Sequence, residues 1–331
     1  MTVVGGRLAR VRPGGVSRRV ALGATAAAAS WALAGCQRPQ PPLNVATFVF
    51  PGYELLFAAR EKGWLPAEHV RLVELLSSTD TLRALAARQV EAATMTIDEV
   101  MTARAGGLDL RVVLIFDISA GADAVMARPG IRRPQDLKGK RIGVEDSAMG
   151  VVMFDAVMTA AGLEMSQVLK VPMTVDRSVD LYRAGKLDAV VTFEPWVSEL
   201  QELGAVRVFD SNAIPDRIMD VLAVRADMLS ARPQAVRALV QAHFQALELF
   251  QRQPAEASAL MAPRLQVMPE EVPANFKGLR LPNAAQNRTL MRPGGRFDEA
   301  AQEIQLVLSN RRIIERRVPL SGLVDTSFLP G

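Results

Sequence analysis

An alternation of short apolar segments and amphipathic helical segments is the feature that most restricts the fold of this chain. Residues 44–50 are rich in β-branched and aromatic side chains and predict a buried strand, which ends at Pro51 and Gly52. Residues 53–62 then have helical spacing of apolar side chains. The same order recurs, with further strands predicted at 70–76, 91–95, 110–116, 141–144, 168–174, 187–192, 206–209 and 219–224. This alternation predicts an α/β fold of mostly parallel sheets flanked by helices.

Two such series predict two lobes. Residues 128–140 carry Pro, Gly and exposed charge, and we expect the chain to cross between the lobes there. The first lobe is expected to contain residues 44–128 and 219–331, with a helical C-terminal region, and the second lobe residues 129–218. The 296 residues from Cys36 onward are more than one compact core usually holds. In such folds the loops after the strand ends line a crevice where ligands bind.

The N-terminal 35 residues have the three parts of an export signal. A basic run precedes an apolar, Ala-rich stretch at 20–34, and small residues then precede Cys36, the only cysteine. Leu33-Ala34-Gly35-Cys36 resembles the bacterial lipoprotein box, which implies that residues 1–35 are removed and that Cys36 is acylated. Residues 36–43 are polar and Pro-rich, as expected of a tether. The alternative is that Cys36 is an ordinary buried or free cysteine.

Charge and composition exclude several classes of function. The net charge of +4 comes from the leader, because its five arginines and no acids leave 34 basic and 35 acidic residues beyond it. We therefore expect no nucleic-acid partner. His69 and His243 are the only histidines and no Cys/His cluster has zinc spacing, so we expect no metal site. No Ser-His-Asp set, Cys-His set or phosphate-binding loop is present, which predicts no catalytic residues, no cofactor and no enzymatic activity.

Three segments resemble one protein family. Residues 52–60, 136–145 and 192–195 are similar to motifs of the nitrate/sulfonate/taurine and thiamine-precursor group of periplasmic solute-binding proteins, which serve ABC importers. The resemblance implies a two-lobed, hinged binding protein of type II architecture that holds a small solute between its lobes. It also implies a monomer outside the cytoplasm, with a permease and its ATPase as partners and the lipid anchor as its membrane attachment.

The family's pocket positions correspond here to the same strand-end loops that the pattern predicts. We expect ligand contacts from a set of polar and aromatic residues in these loops: Tyr53, Glu54, Ser78, Asp80, Thr96, Asp98, Ser119, Asp123, Glu145, Met149, Glu194 and Trp196. The loops contain no Lys or Arg. Carboxylates beside aromatic rings favour an amine-bearing or heteroaromatic solute. About half of the acids at such helix starts serve only as caps.

Two other functions stay open at the level of sequence. A protein of this kind can present its closed form to a membrane signalling partner and act as a solute sensor. Some relatives of the fold take part in thiamine-pyrimidine synthesis, so an enzyme of that type is the second alternative.

Overall fold

The computed structural model describes residues 1–2, 5 and 40–331. The predicted leader, apart from residues 1, 2 and 5, and the predicted lipidation site Cys36 lie outside the described residues. The fold discussed below is that of the compact unit Pro42–Gly331.

The described strands form two sheets. They are β1 (Leu43–Thr47), β2 (Val70–Glu74), β3 (Ala92–Thr96), β4 (Leu110–Ser119), β5 (Ala124–Ala127), β6 (Arg141–Glu145), β7 (Leu169–Met173), β8 (Ala189–Thr192), β9 (Val206–Asp210), β10 (Met219–Arg225) and β11 (Leu279–Arg280). The first sheet has the order β11-β4-β10-β3-β1-β2 and the second β7-β6-β8-β5-β9.

Helices connect and cover these strands. They are α1 (Pro51–Glu61), α2 (Ser78–Ala86), α3 (Ile97–Ala105), α4 (Ala148–Ala161), α5 (Ser178–Arg183), α6 (Trp196–Glu202), α7 (Ala226–Ala231), α8 (Pro233–Arg252), α9 (Pro254–Leu265), α10 (Val272–Asn275), α11 (Ala284–Leu290) and α12 (Arg296–Asn310). Ser77 and Ser147 cap α2 and α4 by accepting backbone N–H groups of the first turn. The predicted α/β architecture is therefore confirmed.

Both sheets are mixed, which corrects the expectation of mostly parallel pairing. Strand β10 is antiparallel to both of its neighbours, β3 and β4, and β5 is antiparallel to β8 and β9. These two strands enter their sheets directly from the other sheet. A strand that arrives in this way needs no crossover helix, so nothing forces it to run parallel to its neighbours.

The first crossing lies earlier in the chain than predicted. Residues 124–127 were assigned to the first lobe, but as β5 they belong to the second sheet. The chain crosses at 120–123, directly after β4, and returns at 211–218. The Pro- and Gly-rich segment after β5 misled the prediction because it leads into β6 within the second sheet. At the two crossings the hydroxyls of Ser119 and Ser211 are 2.7 Å apart.

The C-terminal region also differs in one segment. The sequence predicts a helical C-terminal region, but between 269 and 280 the helix α10 is short and β11 follows it, pairing with the end of β4. Pro269 and Pro273 interrupt the helical run. Helix α12 packs against both α3 and α4, and Arg311 pairs with Asp155 of α4. No helix within residues 40–331 is long and apolar enough to cross a bilayer.

Candidate functional site

A small cavity lies between the two sheets, where the loops after their strands face each other. Its walls are formed by Phe48, Phe50, Ser78, Thr96, Glu99, Asp123, Met149, Phe193 and Asp220. The cavity measures about 20 Å³. That is room for a single water molecule. The two sets of loops are therefore closed on each other in this structure.

Aromatic rings from both sheets meet across the cavity. Phe50 follows β1, and its ring centroid lies 5.3 Å from that of Phe193, which follows β8. Phe193 also lies 6.3 Å from Phe48 and 5.2 Å from Trp196. Rings at these separations attract each other, and their faces offer an apolar or cation-binding surface. A solute that enters between them replaces ring–ring contacts with contacts to itself.

Glu99 forms part of the polar wall in the first turn of α3. The Ser78 hydroxyl donates a hydrogen bond to one carboxylate oxygen, and the Thr96 backbone N–H donates to the other at 2.9 Å. Burial raises the pKa of Glu99, and these two hydrogen bonds oppose that change. The helix start holds this carboxylate in a fixed orientation.

Asp220 forms the neighbouring part of the wall. It lies in β10, directly opposite Asp117 of β4 on one side and Thr96 of β3 on the other. The Tyr53 hydroxyl donates a hydrogen bond to Asp220. A Cβ atom at Gly52 would lie 2.0 Å from Oδ2 of Asp117, so a larger residue there would have to displace this buried carboxyl.

The carboxyls around the cavity are buried without a compensating cation. Burial is the largest cause that raises the pKa of Asp123 to about 6 and of Glu145 to about 7. It also raises the pKa of Asp98, Asp117 and Asp220 well above the ordinary value. Within the described part of the chain, no Lys, Arg or His forms an ion pair with any of these side chains or with Glu99. The site is therefore an electrostatically uncompensated acidic pocket.

Glu145 links the two sides of the site. It ends β6 in the second sheet and accepts hydrogen bonds from the Thr79 backbone N–H at 3.3 Å and the Thr79 hydroxyl at 3.0 Å. Thr79 lies in the first turn of α2, which belongs to the first sheet's connections. This contact ties the strand-end loops of the two sheets together.

The structure brings only some of the predicted site residues to the cavity wall. Ser78, Thr96, Asp123 and Met149 line it directly. Tyr53 and Asp98 are fully buried, and Ser119 bonds to Ser211 at the crossing between sheets. Tyr53 supports the wall through its hydrogen bond to Asp220, and Ser119 supports it by accepting the Asp123 N–H at 3.1 Å.

The remaining predicted residues have other contacts. Glu54 faces α9 and pairs with Arg264 at 2.8 Å. Burial raises the pKa of Glu54 to about 7, although the charge of Arg264 opposes this change. Asp80 bonds to the cap residue Ser77. Glu194 accepts the Ser198 backbone N–H at 3.0 Å and Trp196 packs on Phe193.

Sequence reasoning missed five wall residues, namely Phe48, Phe50, Glu99, Phe193 and Asp220. Glu99 was not identified as a wall residue because an acid three residues after Thr96 has the spacing of a capping box, which accounts for it without a ligand. Asp220 had a usable signal, since an acid inside an otherwise apolar predicted strand is rare in protein interiors. Among the described residues no group of three or more His, Cys, Asp or Glu is arranged to hold a metal ion.

Known proteins are similar to this chain in sequence and in fold. Residues 51–257 match the family described as "NMT1/THI5 like". The taurine-binding periplasmic protein of Escherichia coli (strain K12) is 25% identical over 213 residues, covering 61% of this chain and 66% of that protein. The aligned region thus spans just under two thirds of that relative.

Solved structures show the fold. The alkanesulfonate-binding protein SsuA from Xanthomonas axonopodis pv. citri, bound to MOPS, has a TM-score of 0.72 at 18% identity, covering 87% of this chain and 99% of SsuA. A Candida albicans protein with "the generic periplasmic binding protein structural fold" has a TM-score of 0.67 at 17% identity, with coverage of 88% and 98%. The desulfurization enzyme DszB has a TM-score of 0.59 at 22% identity, with coverage of 87% and 97%. The chain therefore has the periplasmic-binding-protein fold, which both binding proteins and an enzyme use.

Proposed function

Because the chain belongs to the NMT1/THI5-like family, we propose that it is a non-catalytic solute-binding protein that works outside the cytoplasmic membrane. It closes its two lobes on a small molecule and delivers it to the permease and ATPase of an ABC importer. The cavity at the facing strand ends supports this proposal, since ligands of α/β folds bind there.

The chemistry of the wall supports an amine-bearing or heteroaromatic solute. The observation that carries this is the set of three carboxyl side chains on the cavity wall, Glu99, Asp123 and Asp220, without any Lys or Arg among the lining residues. A sulfonate or nitrate placed there would find no cationic partner on the wall, and any ionised carboxyl in this poorly solvated site would repel it. An ammonium or amidinium group would instead donate charge-assisted hydrogen bonds to these carboxylates, and the ring of such a solute would pack on Phe50 and Phe193.

A matched set of ligands tests the proposed charge preference. Benzylamine, benzyl alcohol and phenylmethanesulfonate carry the same ring with a cationic, a neutral or an anionic group. We expect the mature protein to bind benzylamine most tightly in calorimetric titrations and to leave it chemically unchanged. Tighter binding of phenylmethanesulfonate, taurine or nitrate than of benzylamine would contradict an amine-binding site.

Asp220→Asn tests the contact itself. Loss of one charged acceptor is expected to weaken benzylamine binding about 10- to 100-fold, as charge-assisted hydrogen bonds contribute about 1.5–3 kcal/mol. Binding of benzyl alcohol should change much less. Asp180→Asn, which removes an exposed acid on α5, is the matched control and should bind both compounds like the wild type. Equal weakening for both ligands would assign Asp220 a purely structural role.

We also propose that Cys36 is acylated and anchors the protein to the membrane. The support is the export signal that ends at the lipoprotein-like sequence. Mass spectrometry of the mature N-terminus should find a lipid-modified Cys36, and Cys36→Ala should release the protein from the membrane fraction. An unmodified thiol at Cys36 in membrane-associated protein would argue against the anchor.

A further inference from the structure

Two buried acids face each other across neighbouring strands behind the cavity. Asp117 of β4 and Asp220 of β10 are direct partners in the antiparallel register. Directly opposed residues project to the same face of a sheet with their Cβ atoms about 4.5–5.5 Å apart. Asp117 is 0% exposed and Asp220 4% exposed, so water screens neither carboxyl.

The groups that face this pair are acidic or neutral. Tyr53 approaches from α1, Asp98 and Glu99 from α3, and Asp123 from the crossing after β4. Glu145 lies beyond Glu99 at the end of β6. The ion pairs of residues 40–331 involve none of these side chains, so no cation of the described chain offsets a second negative charge. Two carboxyls in such a position do not both ionise near neutral pH.

The two acids have different positions relative to the cavity. Asp220 lines the wall and accepts a hydrogen bond from Tyr53. Asp117 does not line it and packs instead against Gly52. A positive charge in the cavity therefore acts on the pair through Asp220.

We propose that the Asp117–Asp220 pair holds a proton in the empty protein and releases it to solvent when the ammonium group of a solute enters the cavity. This inference rests on the amine-binding function proposed above. The bound cation takes the place of the proton, so the net charge of the closed site stays the same. Burial and mutual repulsion, which raise the pKa of Asp220, are consistent with this exchange.

Calorimetry in two buffers tests the exchange. Benzylamine is titrated into the mature protein at pH 7 in phosphate and in Tris, which differ in the heat they take up on protonation. The binding heat of benzylamine should differ between the two buffers by the number of protons released, up to one, multiplied by the difference in the protonation enthalpies of the buffers. The binding heat of benzyl alcohol should be the same in both buffers. Benzylamine affinity should also rise by up to about tenfold per pH unit between pH 6 and 7.

Asp117→Asn identifies the source of the proton. It keeps the shape of the side chain, leaves Asp220 as the only acid of the pair and should reduce proton release to less than half of the wild-type value. Asp180→Asn is the control and should release the same number of protons as the wild type. Infrared spectra give a ligand-independent measurement, because the empty wild type should show the carbonyl band of a buried protonated carboxyl that Asp117→Asn lacks.

The outcomes separate this inference from the proposed function. Benzylamine binding with equal heats in both buffers would overturn proton exchange and leave amine binding intact. Preference for phenylmethanesulfonate over benzylamine would overturn amine binding itself. Protonated-carboxyl bands that stay unchanged in both Asp117→Asn and Asp220→Asn would show that the pair holds no proton.

Discussion

At the residue scale, a buried polar group that makes no hydrogen bond lowers the free energy of unfolding of the protein. His243 in α8 is 0% exposed, and both of its ring nitrogens lack a hydrogen-bond partner within the described residues. Its ring packs edge-on against Phe116 at 5.0 Å and Phe244 at 5.1 Å. Burial lowers its pKa to about 3, so the folded protein keeps it neutral.

His243→Met is expected to stabilise the protein, and more at low pH than at high pH. At pH values below 6.5, the ordinary pKa of histidine, His243 gains a proton only in the unfolded chain. The free energy of unfolding therefore decreases as the pH falls. The variant should gain about 2 kcal/mol more free energy of unfolding at pH 5 than at pH 8. Urea unfolding at both pH values measures the difference. His69→Met, at a partly exposed histidine, is the control, and an equal gain in both variants would contradict this account.

At the scale of elements, tight junctions between strands and helices position the site. Helix α4 begins at Ala148, and the Ser147 hydroxyl accepts the Gly150 N–H at 3.1 Å. A Cβ atom at Gly150 would lie 2.3 Å from the carbonyl oxygen of Glu145, which is backbone and cannot turn aside. The first turn of α4 therefore packs directly on the end of β6, where Glu145 reaches across to Thr79.

Gly150→Ala should destabilise the protein although alanine favours helices. The added methyl group must push the end of β6 and α4 apart, and overpacking of this kind costs about 1–3 kcal/mol. Gly106→Ala at the end of α3, where the nearest atom would be at 3.3 Å, is the matched control and should cost less. Urea unfolding of both variants provides the comparison. A Gly150→Ala protein as stable as the wild type would mean that this junction is looser than described.

At the scale of the whole molecule, closing two lobes over several acids makes stability depend on pH in an unusual direction. Each carboxyl whose pKa is raised binds a proton more readily in the folded state than in the unfolded chain. Folded stability therefore falls as the pH rises towards the raised pKa, which is about 7 for Glu145 and well above the ordinary value for Asp117 and Asp220. A bound cation would remove much of this cost.

The empty protein is therefore expected to lose stability between pH 6.5 and 8. The free energy of unfolding should decrease by about 1.4 kcal/mol per pH unit for each proton that the folded protein binds and the unfolded chain does not. His243 acts in the opposite direction and changes the free energy of unfolding by less than about 0.5 kcal/mol over this window, because its ordinary pKa is near 6.5. Urea unfolding across the range measures the slope, which saturating benzylamine and Asp117→Asn should both reduce. Stability that is constant or rises over this range would show that the acids are not protonated in the folded state.

Local pattern alone predicted nine of the eleven described strands and the loops that face the cavity, because hydrophobic periodicity and capping are properties of neighbouring residues; β5 and β11 were not predicted. It also placed Ser78, Thr96, Asp123 and Met149 in those loops. Sequence reasoning failed where residues distant in the chain decide the outcome. The antiparallel insertion of β5 and β10, and the pairing of Glu54 with Arg264, depend on which segments the folded chain brings together.

The order of residues is enough to specify an α/β chain whose acidic and aromatic strand-end loops carry no basic residue. Which of those acids face the cavity depends on how the sheets assemble, and this assembly also brings in Asp220, a strand residue that no loop pattern includes. The physical reason is that the register between β10 and β4 sets Asp220 opposite Asp117, and such a register is fixed by long-range packing of the whole sheet.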